Sequence, residues 1–204
     1  MITRGVVVRV PAKVNLQLSV GPLGEDGFHE VVSVFQAISI FDDVTVRHAI
    51  EGSGITLTLS GSTSAGVPTD SSNLAYKAAE IMVDRYGISS DIAIHLKKEI
   101  PVAGGMAGGS GNAAGVIVGI DALFGLNLSR DDMEGIASEL GSDVPFAIAG
   151  GIAVGRGRGD QLTPALTRGN YHWVVAMAGN GLSTPAVYKE CDRLREGLEI
   201  ARPQ

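Results

Sequence analysis

The stretch "PVAGGMAGGSGNAAG", residues 101 to 115, contains six glycines and no charged side chain. It leads directly into the apolar pattern "VIVGIDALF", which predicts a helix from about Gly111 to Phe124. Glycine weakens a regular element by roughly 0.5–1 kcal/mol relative to alanine, so such a cluster marks a turn or a close approach to the main chain. The first N–H groups of a helix lack internal partners and the helix dipole favours an anion there, so this stretch predicts a phosphate site. A flexible linker is the alternative, and the helix that follows argues against it.

Composition predicts a globular protein with a substantial core. The chain has 204 residues, of which 45% are hydrophobic and 19% charged, which is not the composition of a disordered chain. The net charge of -6 argues against non-specific attraction to nucleic acid or to an anionic membrane. Any anionic ligand must therefore be held by local features of a site.

Cysteine content and hydropathy predict a soluble, cytoplasmic protein. Cys191 is the single cysteine, so neither an internal disulfide nor a cysteine metal cluster is expected, as is typical of a reducing compartment. The three valines near the N-terminus are too few for the apolar region of a signal peptide. No apolar run approaches the ~20 residues of a membrane span, and Asp121 interrupts the best candidate.

Hydrophobic periodicity predicts a mixed α+β architecture. A helix is predicted between residue 74 and a stop at Gly87, and another in "SRDDMEGIASELG", with acids in its first turn and Gly141 after its last. A short helix in "VPFAIAG" places Pro145 at its first position, and "PAVYKECDRLREGL" predicts the last helix. Strands are predicted in "GVVVRV", "KVNLQLSV", "EVVSVFQAISI", "DVTVRHAI", "GITLTLSG", "DIAIHLKKEI", "GIAVGRG" and "HWVVAMA".

Two common nucleotide-binding motifs do not fit the glycine-rich segments of this sequence. A Walker A loop requires lysine after its last glycine, but Ser110 and Gly111 follow Gly109. The "GRGRGD" run at residues 155–160 lacks the third glycine of a dinucleotide-binding fingerprint. Another kind of phosphate-binding loop is therefore indicated.

The stretch resembles the phosphate-binding motif of the GHMP kinases. "PAKVNLQLSV", "EDGFHEV", "NLAYKAAE" and "LGSDVPFAIAGGIAVGRGRG" accompany it in the order of that superfamily, and together they resemble its members in the non-mevalonate isoprenoid pathway over essentially the whole chain. The resemblance implies a GHMP kinase fold, with an N-terminal mixed sheet and helices like domain 2 of ribosomal protein S5. It also implies ATP, Mg²⁺ and transfer of the γ-phosphoryl group to the 2-hydroxyl of a small-molecule substrate, a cytidine diphosphate-linked methylerythritol. Residues 1–160 would form the ATP-binding domain, and residues 161–204 the beginning of a C-terminal domain whose remainder is absent.

Phosphoryl transfer requires alignment, shielding of phosphate charge and an acceptor for the hydroxyl proton. The resemblance implies that Asp143 of "GSDVP" is the base and that Lys13 of "PAKVN" stabilises charge near the same hydroxyl. The residues alone leave ordinary alternatives open. Asp143 has the position of a helix cap or turn residue, and Lys13 that of a solvated lysine on a strand.

The resemblance also implies binding residues. His29 would read the cytosine edge through its ring nitrogens, and Phe28 and Tyr188 would stack on the base, although a surface histidine and a core tyrosine are the ordinary alternatives. Asn73 has the further alternative of beginning a helix. Asn15 and Thr184 would make polar contacts to the substrate, and the ATP contacts would be Pro101, Gly104, Gly105, Gly108, Gly109, Ser110, Gly111 and Asn112, with Asn73 and Lys98 at the adenosine.

Three departures from the superfamily pattern accompany these assignments. Phe28 keeps a ring where tyrosine is common but lacks the hydroxyl donor. Gly111 stands where a second serine is frequent, so backbone N–H groups or Ser110 must bind the phosphates. Ala103 and Ala107 replace glycines, which implies backbone angles that alanine tolerates.

Two other functions remain open at this stage. One is a GHMP kinase acting on homoserine, mevalonate or a sugar. His29 and Tyr188 favour the cytidylyl substrate instead, because the other substrates have no cytosine for these residues to contact. The other is a non-catalytic nucleotide-binding fragment, against which the presence of both Lys13 and Asp143 argues.

Overall fold

The computed structural model describes residues 5–176 and 181–203. It contains strands and helices in the mixed order predicted for an α+β fold. In chain order they are β1 (Val6–Leu23), β2 (His29–His48), β3 (Ile55–Ser60), α1 (Leu74–Tyr86), β4 (Ile92–Lys97), α2 (Gly108–Phe124), α3 (Arg130–Leu140), α4 (Val144–Ala149), β5 (Ile152–Arg156), β6 (Gln161–Pro164) and α5 (Thr184–Leu194).

The sheet has six strands and is organised around β2. β1 pairs antiparallel along β2, while β4 and β5 pair antiparallel with different parts of β2. β3 pairs parallel to β4, and β6 pairs antiparallel to β5. The four strands predicted within residues 5–50 are therefore two long ones. The register shifts between Pro11 and Ala12 instead of the strand ending there, because a residue without an N–H group is tolerated at an irregularity.

The helices pack on the sheet around α2. Gly115 and Gly119 lie on one face of α2 because they are four residues apart. A Cβ atom at either position would approach a valine Cγ2 of β2 to 2.7 Å, so glycine permits this close packing. Fully buried members of the main core include Val44, Val46, Met82, Ile117 and Ile120.

Two smaller buried clusters position the segments that carry the candidate site. Met106 packs with Ala12, Ile38 and Ile100, which anchors the glycine-rich loop against the sheet. Phe146 of α4 packs on Phe35 of β2, with ring centroids 5.0 Å apart. The beginning of α4 is thereby held beside β1 and β2.

The predicted helix ends are largely confirmed. Gly87 ends α1 in the left-handed conformation, with φ 58°, and Ser129 caps α3 in a reciprocal capping box with Asp132. Pro145 lies at the second position of α4, not the first. α2 begins at Gly108, three residues before the predicted start, so more of the glycine-rich stretch is helical than its composition indicates.

The predicted strand "HWVVAMA" is wrong over residues 172–176, which form no strand, and its last two residues lie outside the described part. Trp173 is 46% exposed and Val174 is fully exposed, so the apolar pattern there has no sheet to pack on. β6 was not predicted, because its proline argues against a strand; Pro164 is tolerated at the sheet edge. Within the described residues, no helix has the length and hydropathy that crossing a bilayer would require.

Candidate active site

A cleft of 1210 Å³ lies between β1, β2, the glycine-rich loop, the turn before α4, and α5. All the predicted site residues line it except Ser110 and Gly111. Residues from both ends of the chain therefore meet at one cavity.

Lys13 and Asp143 face each other in this cleft. Lys13 Nζ lies 3.4 Å from Asp143 Oδ2, and it donates a 2.7 Å hydrogen bond to Oδ1 of Asn15. Lys13 is only 8% exposed, so it is not a solvated strand lysine. Asp143 occupies the N-cap position of α4, but its side chain makes no capping hydrogen bond. The carboxylate is therefore available to the cleft.

Asn15 is held in one orientation by Ser33, a residue that the sequence analysis missed. Asn15 Nδ2 donates to Ser33 Oγ at 2.6 Å, and Ser33 Oγ donates to the carbonyl of Gln17 at 3.0 Å. Ser33 is fully buried. The available signal was one hydroxyl within the apolar run "VVSVF". The chain of hydrogen bonds leaves the amide oxygen of Asn15 facing Lys13.

The glycine-rich loop brings the start of α2 to the cleft. Gly108 and Gly109 line the cavity, and a Cβ atom at Gly109 would contact nothing within 4 Å. Gly111 instead lies against Val10, and its N–H donates to the carbonyl of Ala107. The N–H groups that lack an acceptor within the helix are therefore those before Gly111, at the start of α2.

The conformation of the two loop alanines differs from the expectation. Ala103 and Ala107 have φ values of 56° and 57°, in the left-handed region that L-residues with a Cβ atom occupy uncommonly. The expectation of angles that alanine readily tolerates is wrong. Packing of Met106 and a hydrogen bond from the Lys13 N–H to the Met106 carbonyl hold the loop in this shape.

A buried polar cluster lies beneath the loop and is centred on Asp42, which the sequence analysis also missed. Lys98 donates to Asp42 and, at 2.7 Å, to Asn112 Oδ1, while Asn112 Nδ2 donates to Asp42 Oδ2 at 2.8 Å. Asp42 Oδ1 accepts from the N–H groups of Glu99 and Ile100. Lys98 is 2% exposed. Its amine and the Asn112 amide are therefore engaged within the protein, where they join β2, β4 and α2.

Asn73 confirms its helix-start alternative. Its Oδ1 accepts from the N–H of Ala75 and its Nδ2 donates to the carbonyl of Pro68. It still lines the cleft. The one residue thus begins α1 and borders the cavity.

An aromatic group occupies the far end of the cleft. The His29 and Tyr188 rings have centroids 5.0 Å apart, and His29 Nε2 lies 2.7 Å from Asp192 Oδ1. Phe28 is 52% exposed and stacks under the guanidinium of Arg158 at 4.8 Å. Burial, and secondly the charge of Asp143, raises the pKa of the Tyr188 phenol.

Thr184 is the first residue of α5 and also borders this end. Arg158 and Asp192 were not predicted. Asp192 follows Tyr188 by one helical turn, a spacing that indicates a shared face.

Residues 73–151 match the family described as the GHMP kinases N terminal domain. The chain is 50% identical over 198 residues to the 4-diphosphocytidyl-2-C-methyl-D-erythritol kinase of Streptomyces coelicolor, covering 97% of this chain and 66% of the relative. It is 52% identical over 194 residues to the enzyme of the same name from Mycobacterium tuberculosis, covering 95% and 60%. The chain thus spans less than two thirds of the length of these curated relatives.

Solved structures show the same similarity. A crystal structure of 4-(cytidine 5'-diphospho)-2C-methyl-D-erythritol kinase aligns with a TM-score of 0.65 and 32% identity, covering 90% of this chain and 63% of that one. A homoserine kinase from Cytophaga hutchinsonii aligns with a TM-score of 0.60 at 21% identity. At that identity the second similarity concerns the fold alone.

Proposed function

We propose that the chain is a GHMP kinase that phosphorylates the 2-hydroxyl of 4-diphosphocytidyl-2-C-methyl-D-erythritol with ATP as donor. The observation that carries the proposal is the Lys13–Asp143 pair, 3.4 Å apart in the cleft that the start of α2 also borders. A proton acceptor, a cation and a phosphate-binding helix start are the groups that phosphoryl transfer requires.

The ATP phosphates bind at the start of α2 in this proposal. The N–H groups of Gly108, Gly109 and Ser110 lie in the first turn of the helix, where they lack helical acceptors and the dipole favours an anion. The Ser110 hydroxyl adds a donor. Pro101, Gly104 and Gly105 line the same part of the cleft and border the nucleotide.

Mg²⁺ fits this site as an ion held mainly by the nucleotide. No group of three or more His, Cys, Asp or Glu residues suited to a metal lies in residues 5–176 and 181–203. Mg²⁺ commonly binds through one or two carboxylates together with substrate phosphates and water, and Asp143 is a carboxylate that lines the same cleft as the start of α2. The ion would neutralise phosphate charge.

Asp143 accepts the proton of the substrate hydroxyl as its oxygen attacks the γ-phosphorus. The new oxygen–phosphorus bond forms while the bond to the β-phosphate oxygen breaks, and ADP leaves. Lys13, oriented by Asn15 at 2.7 Å, balances the negative charge that develops on the hydroxyl oxygen. Burial of Lys13 strengthens this interaction, because charges are screened less away from water.

The cytidylyl group occupies the aromatic end of the cleft. His29 presents its ring nitrogens to the base, and Phe28 and Tyr188 supply rings for stacking. Thr184 and Asn15 make polar contacts to the remainder of the substrate. This end distinguishes the proposed substrate from homoserine, mevalonate and sugars, which have no base to stack.

In this proposal the enzyme acts in the cytoplasm on a small-molecule substrate, without a nucleic-acid or membrane partner. Residues 1–160 form the ATP-binding domain and residues 161–204 begin the C-terminal domain. β6 adds to the sheet of the first part through its pairing with β5.

A substrate panel tests this function. The protein is incubated with γ-labelled ATP and, separately, with 4-diphosphocytidyl-2-C-methyl-D-erythritol, homoserine, mevalonate and galactose. We expect label transfer to the cytidylyl alcohol alone. Transfer to one of the other alcohols in preference would overturn the substrate assignment, and nucleotide binding without transfer to any alcohol would favour a non-catalytic module.

A further inference from the structure

Asp192 on α5 contacts His29 at the aromatic end of the cleft. His29 Nε2 and Asp192 Oδ1 are 2.7 Å apart. His29 is 9% exposed, whereas the Asp192 side chain is 41% exposed. Within the described residues, this is the one hydrogen bond that the carboxylate of Asp192 makes. The contact gives a buried imidazole a dedicated carboxylate partner.

We propose that Asp192 is a positioning residue that sets the tautomer of His29 and thereby selects cytosine over uracil. The inference rests on the proposed function, which puts a pyrimidine beside His29. An ionised carboxylate only accepts hydrogen bonds, so His29 Nε2 carries the hydrogen. In a neutral imidazole the other nitrogen, Nδ1, is then an acceptor.

An acceptor at Nδ1 matches cytosine. The exocyclic amino group of cytosine donates a hydrogen bond, whereas uracil has a carbonyl oxygen at the same ring position and only accepts. Among the described residues, Nδ1 of His29 has no hydrogen-bond partner. It is therefore free to accept from the amino group.

Asp192 makes the opposite arrangement costly. To donate to the uracil oxygen, His29 must carry its hydrogen on Nδ1, and the lone pair of Nε2 would then face the carboxylate at 2.7 Å. Without Asp192 the hydrogen can change nitrogens without meeting a carboxylate.

The helix α5 also supplies an aromatic ring beside His29. Tyr188 and Asp192 are four residues apart, which puts them on one helix face, and the Tyr188 ring lies 5.0 Å from that of His29. One helix face thus provides a ring for stacking and the carboxylate that orients the imidazole. Both features serve recognition of a base.

The tautomer is measured first, in the free protein. Two-bond ¹H–¹⁵N NMR spectra at pH 8 report which ring nitrogen of His29 carries hydrogen, and the His29→Gln variant assigns its signals among the four histidines. We expect hydrogen on Nε2 in the wild type and a mixture of tautomers in Asp192→Ala. Hydrogen on Nδ1, or the same mixture in both proteins, would overturn the proposal.

Calorimetric titration with cytidine 5'-diphosphate and uridine 5'-diphosphate measures selectivity without requiring turnover. The control is Glu190→Ala, on the same helix, where Glu190 pairs with Arg193 and does not line the main cleft. We expect the preference for the cytidine ligand to fall about tenfold in Asp192→Ala, as for one mismatched hydrogen bond, and to persist in Glu190→Ala. Thermal unfolding of each variant confirms that it is folded.

The outcomes separate this inference from the function on which it rests. A cytidine preference that persists in folded Asp192→Ala overturns the role of Asp192 and leaves the proposed function intact. Failure of the wild type to bind either diphosphate contradicts the proposed function and removes the selectivity role with it. In that case the NMR result still decides whether Asp192 sets the His29 tautomer.

Discussion

At the scale of single residues, the cleft depends on side chains whose partners are distant in the chain. Lys13 extends from β1, and Asp143 lies at the start of α4. Asn15 and Ser33 orient the lysine through consecutive hydrogen bonds of 2.7 and 2.6 Å. Lys13 and Ser33 are buried while Asn15 between them is exposed, so the loss of a hydrogen-bond partner would cost most at the two buried groups.

The proposed base is tested by Asp143→Asn, which keeps the shape of the side chain but removes its ability to accept a proton. We expect turnover with the cytidylyl substrate to fall about 10²–10⁴-fold, the usual contribution of a general base, and Lys13→Met to lower it as well. Single-turnover transfer from labelled ATP is the measurement. Asp131→Asn, an exposed acid in α3 outside the cleft, is the control. Turnover of Asp143→Asn equal to that of the control would contradict the base assignment.

The buried carboxylate of Asp42 predicts a large effect on stability. Asp42→Asn leaves Lys98 buried without an opposite charge, and breaking such a pair costs about 3–5 kcal/mol. Urea denaturation measures the change in the free energy of unfolding. Asp43→Asn is the adjacent control, since Asp43 pairs with the exposed Arg9 and surface pairs contribute little. Equal effects of the two substitutions would show that the cluster beneath the loop is not a major source of stability.

At the scale of elements, the loop and α2 function as one unit. The left-handed Ala107 immediately precedes the helix, and Met106 fixes the loop to the sheet. The small residues of α2 allow it to approach β2 closely. The helix start is therefore held in place by packing along the whole helix, which favours a preformed anion site.

Gly109→Val tests the phosphate site at this scale. The open space around Gly109 admits a side chain without a clash inside the protein, so the added methyl groups obstruct only the ligand. We expect ATP affinity to fall roughly 10- to 100-fold, because hydrogen bonds to charged groups contribute about 1.5–3 kcal/mol. Gly135→Val in α3, which is equally open, is the control. Unchanged ATP titrations together with unchanged cytidine 5'-diphosphate titrations would place the phosphates elsewhere.

The capping box of α3 predicts a dependence of stability on pH. Hydrogen bonds from the Ser129 hydroxyl, and secondly from its backbone N–H, lower the pKa of Asp132 below its usual 3.8. Its contribution to stability is therefore present above the unfolded pKa of about 3.9 and lost as pH falls through the lower folded pKa.

Ser129→Ala should cost about 1 kcal/mol at pH 7 and flatten this acid-side loss. Denaturation between pH 7 and pH 3 measures both effects. A variant with the same pH profile as the wild type would show that the box is not its origin.

At the scale of the molecule, the core and the cleft are built from different parts of the chain. The buried apolar residues lie between Val10 and Ala153, whereas α5 has no fully buried residue. α5 nevertheless brings Thr184, Tyr188 and Asp192 to the cleft. The first part thus supplies the stability and the later part contributes one wall of the site.

A fragment of residues 1–164 follows from this division. It retains the six strands and every fully buried apolar residue of the part of the chain that the structure describes, so we expect it to fold and to bind ATP within a few-fold of the 204-residue chain. Cytidine 5'-diphosphate binding should fall at least tenfold, because the aromatic and polar contacts of α5 are removed. Circular dichroism and calorimetry measure the two parts of this prediction. Loss of both ligands together would mean that the nucleotide end also depends on α5.

The features that depend on neighbouring residues could be predicted without the structure. Helix periods, caps and glycine stops depend on residues within one or two turns of each other, and the predicted ends of α1 and α3 are accordingly confirmed. The predicted residues of the cleft came from the resemblance to known motifs. A motif names residues but does not say which other residues they contact. The contacts of Asp42 with Lys98 and of Asp192 with His29 became evident only from the fold. Such contacts join segments that are far apart in the chain. Strand pairing and helix packing bring these segments together, and no pattern among neighbouring residues predicts which side chains will meet.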